Sequence, residues 1–172
     1  MDESNKQFAF EKIDIREILG QVVSDLRVIA DQKHIELLVE MSDNLPLATI
    51  DRKKFDLAIR NLVDNAIKYT QTGSVTIKAY VVNDVLQIAI IDTGIGVPHG
   101  DLKFLFNRFF RSGNAVRLVT DGSGLGLYLA KSIIERHNGT ISISSEENKG
   151  STFIVALPLK ESMLPEVRNS ST

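Results

Sequence analysis

No cysteine occurs among the 172 residues, which excludes a disulfide framework, a thiolate metal site and a thiol nucleophile. Lysine plus arginine (20) nearly balances aspartate plus glutamate (22), so there is no basic field of the kind that draws nucleic acid, and any anionic ligand has to be held by local groups. The longest strongly apolar stretch, Val85 to Ile91, is broken by Gln87 and falls far short of the ~20 residues that span a bilayer. Met1 to Gln7 is polar and carries no signal-peptide core. The expectation is a soluble piece suited to a reducing compartment. Also missing are a Gly-x-x-x-x-Gly-Lys-Ser/Thr sequence and the combination of glycine loop, strand lysine and His-Arg-Asp loop. Their absence removes two common ways of holding a nucleoside triphosphate.

What is present is the mixture of a globular domain, 43% hydrophobic and 24% charged, at a length that suits one core. Asp14 with Glu17 three residues later reads as a capping box ahead of Ile15, Ile18, Leu19, Val22, Val23, Leu26 and Ile29 at helical spacing. Ile35 to Met41 reads as a strand and Asn44 to Pro46 as a loop. Asp51 caps a second helix with an apolar side of Phe55, Ala58, Ile59, Leu62, Ala66 and Ile67, ending near Gln71-Thr72-Gly73. Val75, Ile77 and Ala79, then Asn83-Asp84, then Leu86 to Ile91 predict a hairpin. A short helix over Asp101 to Asn107 precedes a glycine-rich loop without apolar period, and a third long helix runs from about Leu125 to His137. Ile141 and Ile143, and Phe153, Val155 and Leu157, supply two last strands around the turn Asn148 to Gly150. Hairpin-connected strands interleaved with helices predict an α+β two-layer sandwich, a mixed and mostly antiparallel sheet covered on one face by helices.

Three constellations carry chemistry. Asn61, Asn65 and Lys68 fall at i, i+4 and i+7 on one helical stripe, where an amide oxygen suits Mg²⁺ and a lysine suits phosphate; taken singly, the stripe equally fits a solvated face. Asp92-Thr93-Gly94-Ile95-Gly96 places a carboxylate after a hydrophobic strand, able to accept from an exocyclic amine, with glycines that let backbone approach a flat ring; a plain strand-to-turn ending has the same residues. Gly122-Ser123-Gly124-Leu125-Gly126-Leu127 opens a helix whose free N–H groups can bind anions. Between them, Phe104 to Arg111 alternates aromatic anchors with Arg108 and Arg111, which fits either phosphate-reaching arginines or a small surface cluster.

Together and in this order the segments resemble a known family. Asn61 to Thr70 resembles the N box of sensor histidine kinases, Asp92 to Gly96 the G1 box, Leu105 to Arg111 the F box and Gly122 to Leu127 the G2 box; Gly150 to Phe153 is similar to the glycine motif before the last strand. The resemblance covers roughly residues 8 to 159 and implies the Bergerat α/β sandwich that this family shares with gyrase B, Hsp90 and MutL. It implies that Asp92 recognises the adenine amino group, assisted by Thr152 through water, and that Asn65 holds Mg²⁺. It also implies that Asn61, Lys68, Arg108 and Arg111 surround the phosphates. Tyr69, Gly122, Leu127 and the main chain at Gly94, Gly96, Gly124, Leu125 and Gly126 would line the ATP pocket, under a lid from Ser112 to Asp121. His34, His99 and His137 read as ordinary residues, the last as a helix C-terminal cap. Asn107 and Phe110 depart from the acidic residue and tyrosine common in the F box.

Hydrolytic members of the wider family carry a glutamate base where this chain has Asn61, and an amide takes no proton at neutral pH, so transfer to an imidazole is favoured over water activation. The alternatives are an ATPase clamp and a module that binds nucleotide without transferring phosphate. None of the three histidines lies in the phosphoacceptor pattern of the family, so the partner is expected to be a separate dimerisation and histidine-phosphotransfer segment, with a response regulator downstream, no nucleic acid, and a monomer for the isolated domain. Residues 1–10 are expected to be the linker from that segment, 11–160 the catalytic ATP-binding domain and 161–172 a polar tail. The resemblance places the domain in the cytoplasm and its parent in a bacterial cell membrane.

Overall fold

A computed structural model of the chain describes residues 7–120 and 122–159. Helix α1 (Ile15–Gln32) starts at Asp14, whose carboxylate accepts from the Arg16 N–H at 3.0 Å. The capping box does not close, because Glu17 turns outward to pair with Arg52 of the next helix. Helix α2 (Arg52–Lys68) starts at Asp51, which accepts from the Lys54 N–H at 3.0 Å, and it ends before the expected Gln71. The Thr70 hydroxyl donates to the Ala66 carbonyl at 2.7 Å and takes the chain out of the helix there. The third long helix, here α4, spans Gly126–Arg136.

Among the described residues, seven strands form two sheets: β1 (Glu11–Ile13), β2 (Ile35–Met41), β3 (Ala48–Ile50), β4 (Gly73–Val82), β5 (Val85–Asp92), β6 (Thr140–Glu146) and β7 (Gly150–Pro158). The main sheet has the order β2-β4-β5-β7-β6, with β2 and β4 parallel and every other neighbour antiparallel. Alternate residues of its inner face, among them Leu37, Ile77, Ile88, Ile90, Phe153 and Val155, meet the apolar stripes of α1, α2 and α4 in one core. Each such side chain, fully withdrawn from water, contributes about 1.5–3 kcal/mol before entropy is subtracted. The expected α+β sandwich with a mixed, mostly antiparallel sheet is therefore what forms.

Two departures concern short elements. The strands β1 and β3 pair antiparallel in a small separate sheet that ties the start of the domain to the entry of α2; three residues each give no readable alternation. The expected helix over Asp101 to Asn107 is a 3-10 helix at His99–Phe104, and the segment read as a patternless loop contains a short helix, α3 (Gly113–Leu118). Phe8 and Phe10, read as linker, lie on the domain: their rings stack 5.6 Å apart and both meet the His137 ring edge-on at 5.2 Å. Residues 1–6 of the expected linker, Asp121 at the end of the expected lid, and the tail 161–172 lie outside the described residues.

Candidate functional site

The C-terminal half of α2, the end of β5 and the two glycine segments enclose one cleft of about 210 Å³. Helical geometry carries Asn61, Asn65 and Lys68 to its wall on a single stripe, and Tyr69 follows at the helix end. Asp92, Gly96, Arg111, Gly122, Gly124, Gly126 and Leu127 complete the predicted residues that reach it. Ile95, Val97, Leu105, Phe110, Ala115 and Phe153 give the other side an apolar wall. An apolar wall with the buried carboxylate of Asp92 beside it suits a heteroaromatic ring carrying an amino group.

Asp92 is only 8% exposed, and burial raises its pKa to about 6 despite hydrogen bonds from the main chain at Gly94 and Ser151. The Gly94 N–H donates to Oδ1 at 2.8 Å. A Cβ at Gly94 would stand 2.4 Å from the Tyr69 carbonyl oxygen and 2.8 Å from Asp92 Oδ1, so no side chain fits at this position. Gly94 therefore serves the site from behind Asp92 and does not line the cleft.

The opposite end of the cleft is cationic. Around Gly122, a hypothetical Cβ would lie 3.1 Å from Lys68 Nζ and 3.3 Å from Arg111 Cζ, which places both cations against the same glycine. Two residues that line the cleft have a buried side-chain nitrogen without a hydrogen-bond partner, Asn61 Nδ2 and Arg111 Nε. Buried donors without acceptors are costly unless a ligand supplies the acceptor, and an anion with several oxygens would satisfy both. The remaining guanidinium nitrogens of Arg111 donate to lid carbonyls, to Thr120 at 2.9 Å and to Val119. The lid is further tied to the G1 segment by Asn114 Nδ2, which donates to the Gly96 carbonyl at 3.0 Å.

Besides Gly94, three predicted residues are not brought to the cleft wall. Arg108 turns onto α4, donating to the Tyr128 hydroxyl at 2.6 Å and covering its ring at 4.5 Å. Leu125, expected to line the pocket through its main chain, is the N-cap of α4 and is not part of the cleft wall. Thr152 is on the wrong side of its strand: Asp92 pairs with Ser151 in the β5–β7 ladder, so Ser151 and Phe153 face the cleft while Thr152 faces away. Ser151 is the residue that sequence reasoning missed, and counting strand alternation back from buried Phe153 would have found it. Its hydroxyl lies 2.8 Å from that of Ser145, which also accepts from the Val97 N–H at 2.8 Å.

His137 is structural, as expected. It follows α4 as its C-cap, is 2% exposed, accepts from the Asp51 N–H at Nε2 (3.0 Å) and holds the Ile133 carbonyl at Nδ1 (2.7 Å). No helix among the described residues is long and apolar enough to cross a membrane.

Metal fit follows from the donor set. Among the described residues no group of three or more histidines, cysteines, aspartates or glutamates could hold an ion. The cleft does offer the amide of Asn65 and the carboxylate of Asp64 one residue away. That set fits Mg²⁺ arriving with phosphate oxygens, since this ion is commonly bound through one or two protein oxygens plus substrate and water.

Comparison with known proteins agrees with the geometry. The family described as histidine kinase-, DNA gyrase B- and HSP90-like ATPase matches residues 50–161. The sensor-like histidine kinase SenX3 of Mycobacterium tuberculosis is 38% identical over 147 residues, 85% of this chain and 36% of its own length. The sensor histidine kinase WalK of Bacillus subtilis is 32% identical over 163 residues, 93% of this chain and 26% of its own length. The chain thus spans about a third or less of these curated relatives. Among solved structures, full-length ShkA in complex with AMPPNP superposes with a TM-score of 0.78 at 26% identity, over 88% of this chain and 31% of that one. The mycobacterial sensor histidine kinase MprB gives 0.74 at 26%, over 87% of this chain and 97% of that one. The chain belongs to the histidine kinase-, DNA gyrase B- and HSP90-like ATPase family, as a catalytic ATP-binding domain of the histidine-kinase kind.

Proposed function

We propose that this domain binds ATP with Mg²⁺ and transfers the γ-phosphoryl group to a histidine on a separate dimerisation and histidine-phosphotransfer segment, feeding a response regulator. Asp92 accepts from the adenine amino group, and the hydroxyl of Ser151 stands beside it. Lys68, Arg111 and the amide N–H of Asn61 take the phosphate oxygens, and Asn65 contributes the protein's oxygen to the metal. Bound Mg²⁺ would neutralise charge developing between the β- and γ-phosphates. In the reaction the bond from γ-phosphorus to the bridging oxygen breaks, a bond to imidazole nitrogen forms, ADP leaves, and the imidazole proton passes to solvent. The roles of this chain's side chains are to orient the triphosphate and to stabilise its charge.

The observation that carries the reading is the Asn61 amide, buried in the cleft with Nδ2 unpartnered. It is a donor aimed where an anion is expected, at a position from which it cannot deprotonate water. The ShkA complex with AMPPNP supports the nucleotide, and the sensor kinase relatives support a parent in a bacterial membrane with this domain on its cytoplasmic side. The test is incubation with γ-labelled ATP and Mg²⁺, with and without a purified phosphotransfer segment of the parent kinase. Label that appears only on that segment, survives alkali and is lost in acid is expected. Steady release of inorganic phosphate by the domain alone at a comparable rate would replace this reading with an ATPase.

A further inference from the structure

The last carbonyls of α2 identify a residue outside the cleft that seats its phosphate end. The Asn65 carbonyl accepts from the Tyr69 N–H at 3.1 Å, and that of Ala66 from the Thr70 hydroxyl at 2.7 Å. The Thr70 N–H reaches the Ile67 carbonyl at the longer distance of 3.4 Å. The carbonyls of Ile67 and Lys68 both accept from one side chain at the turn after α1: Lys33 Nζ donates to Ile67 at 2.6 Å and to Lys68 at 3.0 Å. The next carbonyl, Tyr69, accepts from the Ile95 N–H of the G1 segment at 3.1 Å. A cation on the negative end of a helix is favourable, and here it closes the peptide units that carry Lys68 and Tyr69. Burial pushes the Lys33 pKa down while Asp64 pulls it up, consistent with an ammonium drawn into the fold to serve these carbonyls.

We propose that Lys33 is a positioning residue for nucleotide binding: by holding the Ile67 and Lys68 carbonyls it fixes the direction in which the Lys68 side chain enters the phosphate end of the cleft. The inference rests on the nucleotide reading of the site. It also explains why a lysine that touches nothing in the cleft stands at the C-cap of α1, a position its main chain fills without needing a charge.

The test is a double-mutant cycle on the whole chain, with AMPPNP and Mg²⁺ titrated calorimetrically into the parent, Lys33→Met, Lys68→Met and the double variant. Charge-assisted hydrogen bonds of this kind translate into a loss of about tenfold in affinity for Lys33→Met. In the Lys68→Met background the same change is expected to cost less than about twofold, because the group it positions has gone. An equal cost in both backgrounds, or no cost in the parent, overturns the inference, whereas absence of binding by the parent overturns the nucleotide reading. Lys33→Gln, which keeps a donor on a shorter stem, carries the same cycle if the methionine variant does not fold. Lys33→Arg is expected to restore at least half of the lost binding free energy, which a mere loss of packing would not predict.

Discussion

Two aspartates with little exposed surface, Asp51 and Asp92, stand near opposite ends of α2; Asp92 lies deeper in the fold, and their carboxylates behave in opposite ways. Burial pushes both toward the neutral form. At Asp51 it is outweighed by N–H donors from Lys54 and Ala9 and by the nearby positive charge of Lys54, and the pKa ends below the ordinary value. At Asp92 the N–H groups of Gly94 and Ser151 do not compensate, and the pKa stands at about 6 against an ordinary 3.8. That difference corresponds to about 3 kcal/mol of stability forgone above pH 6, where Asp92 is charged. The sign follows from the raised pKa: the native protein takes up this proton first on acidification, so relative stability rises as pH falls from 6 toward 4. Asp51 is a carboxylate whose bonding capacity is spent on the fold. Asp92 has capacity left over, facing a cleft, which is the mark of a group kept for a ligand.

The comparison can be broken most directly at Asp92. Asp92→Asn presents a donor to the adenine amino group, and an affinity loss of at least about a hundredfold for ADP is expected by calorimetry at pH 7.5. Its urea midpoint should not fall, since the variant removes an uncompensated buried charge. In the unaltered protein, affinity should weaken as pH drops through about 6 and Asp92 protonates, a dependence absent in the variant. Asp51→Ala should do the reverse, costing about 2 kcal/mol in urea unfolding through the lost cap and the lost tie to Ala9. Its ADP affinity should stay within about twofold of the parent's. If Asp51→Ala abolished binding while leaving stability intact, the division of labour between the two carboxylates would be wrong.

His137 sharpens the same contrast with a smaller effect. Burial lowers its pKa, and its neutral ring accepts from Asp51 while packing against Phe8, Phe10 and Phe55. Its contribution is complete above the ordinary value of 6.5 and is lost as pH falls from 6.5 toward the lowered folded value. In an Asp92→Asn background, which removes the opposing rise from that carboxylate, urea unfolding should show stability falling as pH drops below 6.5, a fall abolished by His137→Gln. A profile unchanged by that substitution would mean the ring titrates alike in both states.

Most of this architecture is legible in the sequence because its long elements obey one period each. The apolar stripes of α1, α2 and α4 and the alternation in β4, β5 and β7 carried over, as did the helical spacing of Asn61, Asn65 and Lys68. The losses share a physical origin, since they depend on partners distant in sequence. Strands β1 and β3 exist because they pair with each other, and Glu17 leaves its own helix end because Arg52 is within reach. Arg108 was drawn to the phosphates by motif, while the Tyr128 ring that captures it lies twenty residues away. Lys33 carried no motif at all, and its role depends on a helix terminus 34 residues further along the chain.

The least of the expected effects bears on the one misplacement that spacing could have prevented. The family resemblance implies a water-mediated contact from Thr152 beside Asp92, but a strand turns successive side chains to opposite faces, and Phe153 is in the core at 3% exposure. Ser151 must then share the inner face with Phe153, opposite Asp92 in the ladder, and Thr152 must face outward with Ile91. Ser151→Ala removes a hydroxyl from the cleft and should weaken ADP binding by about threefold to tenfold, roughly one hydrogen bond. Thr152→Val, nearly isosteric, should change it by less than about twofold. The opposite ranking would require β7 to be shifted by one residue against β5, and such a slip would turn Phe153, Val155 and Leu157 out of the core. A binding measurement on two hydroxyls therefore also tests the register of the central strands.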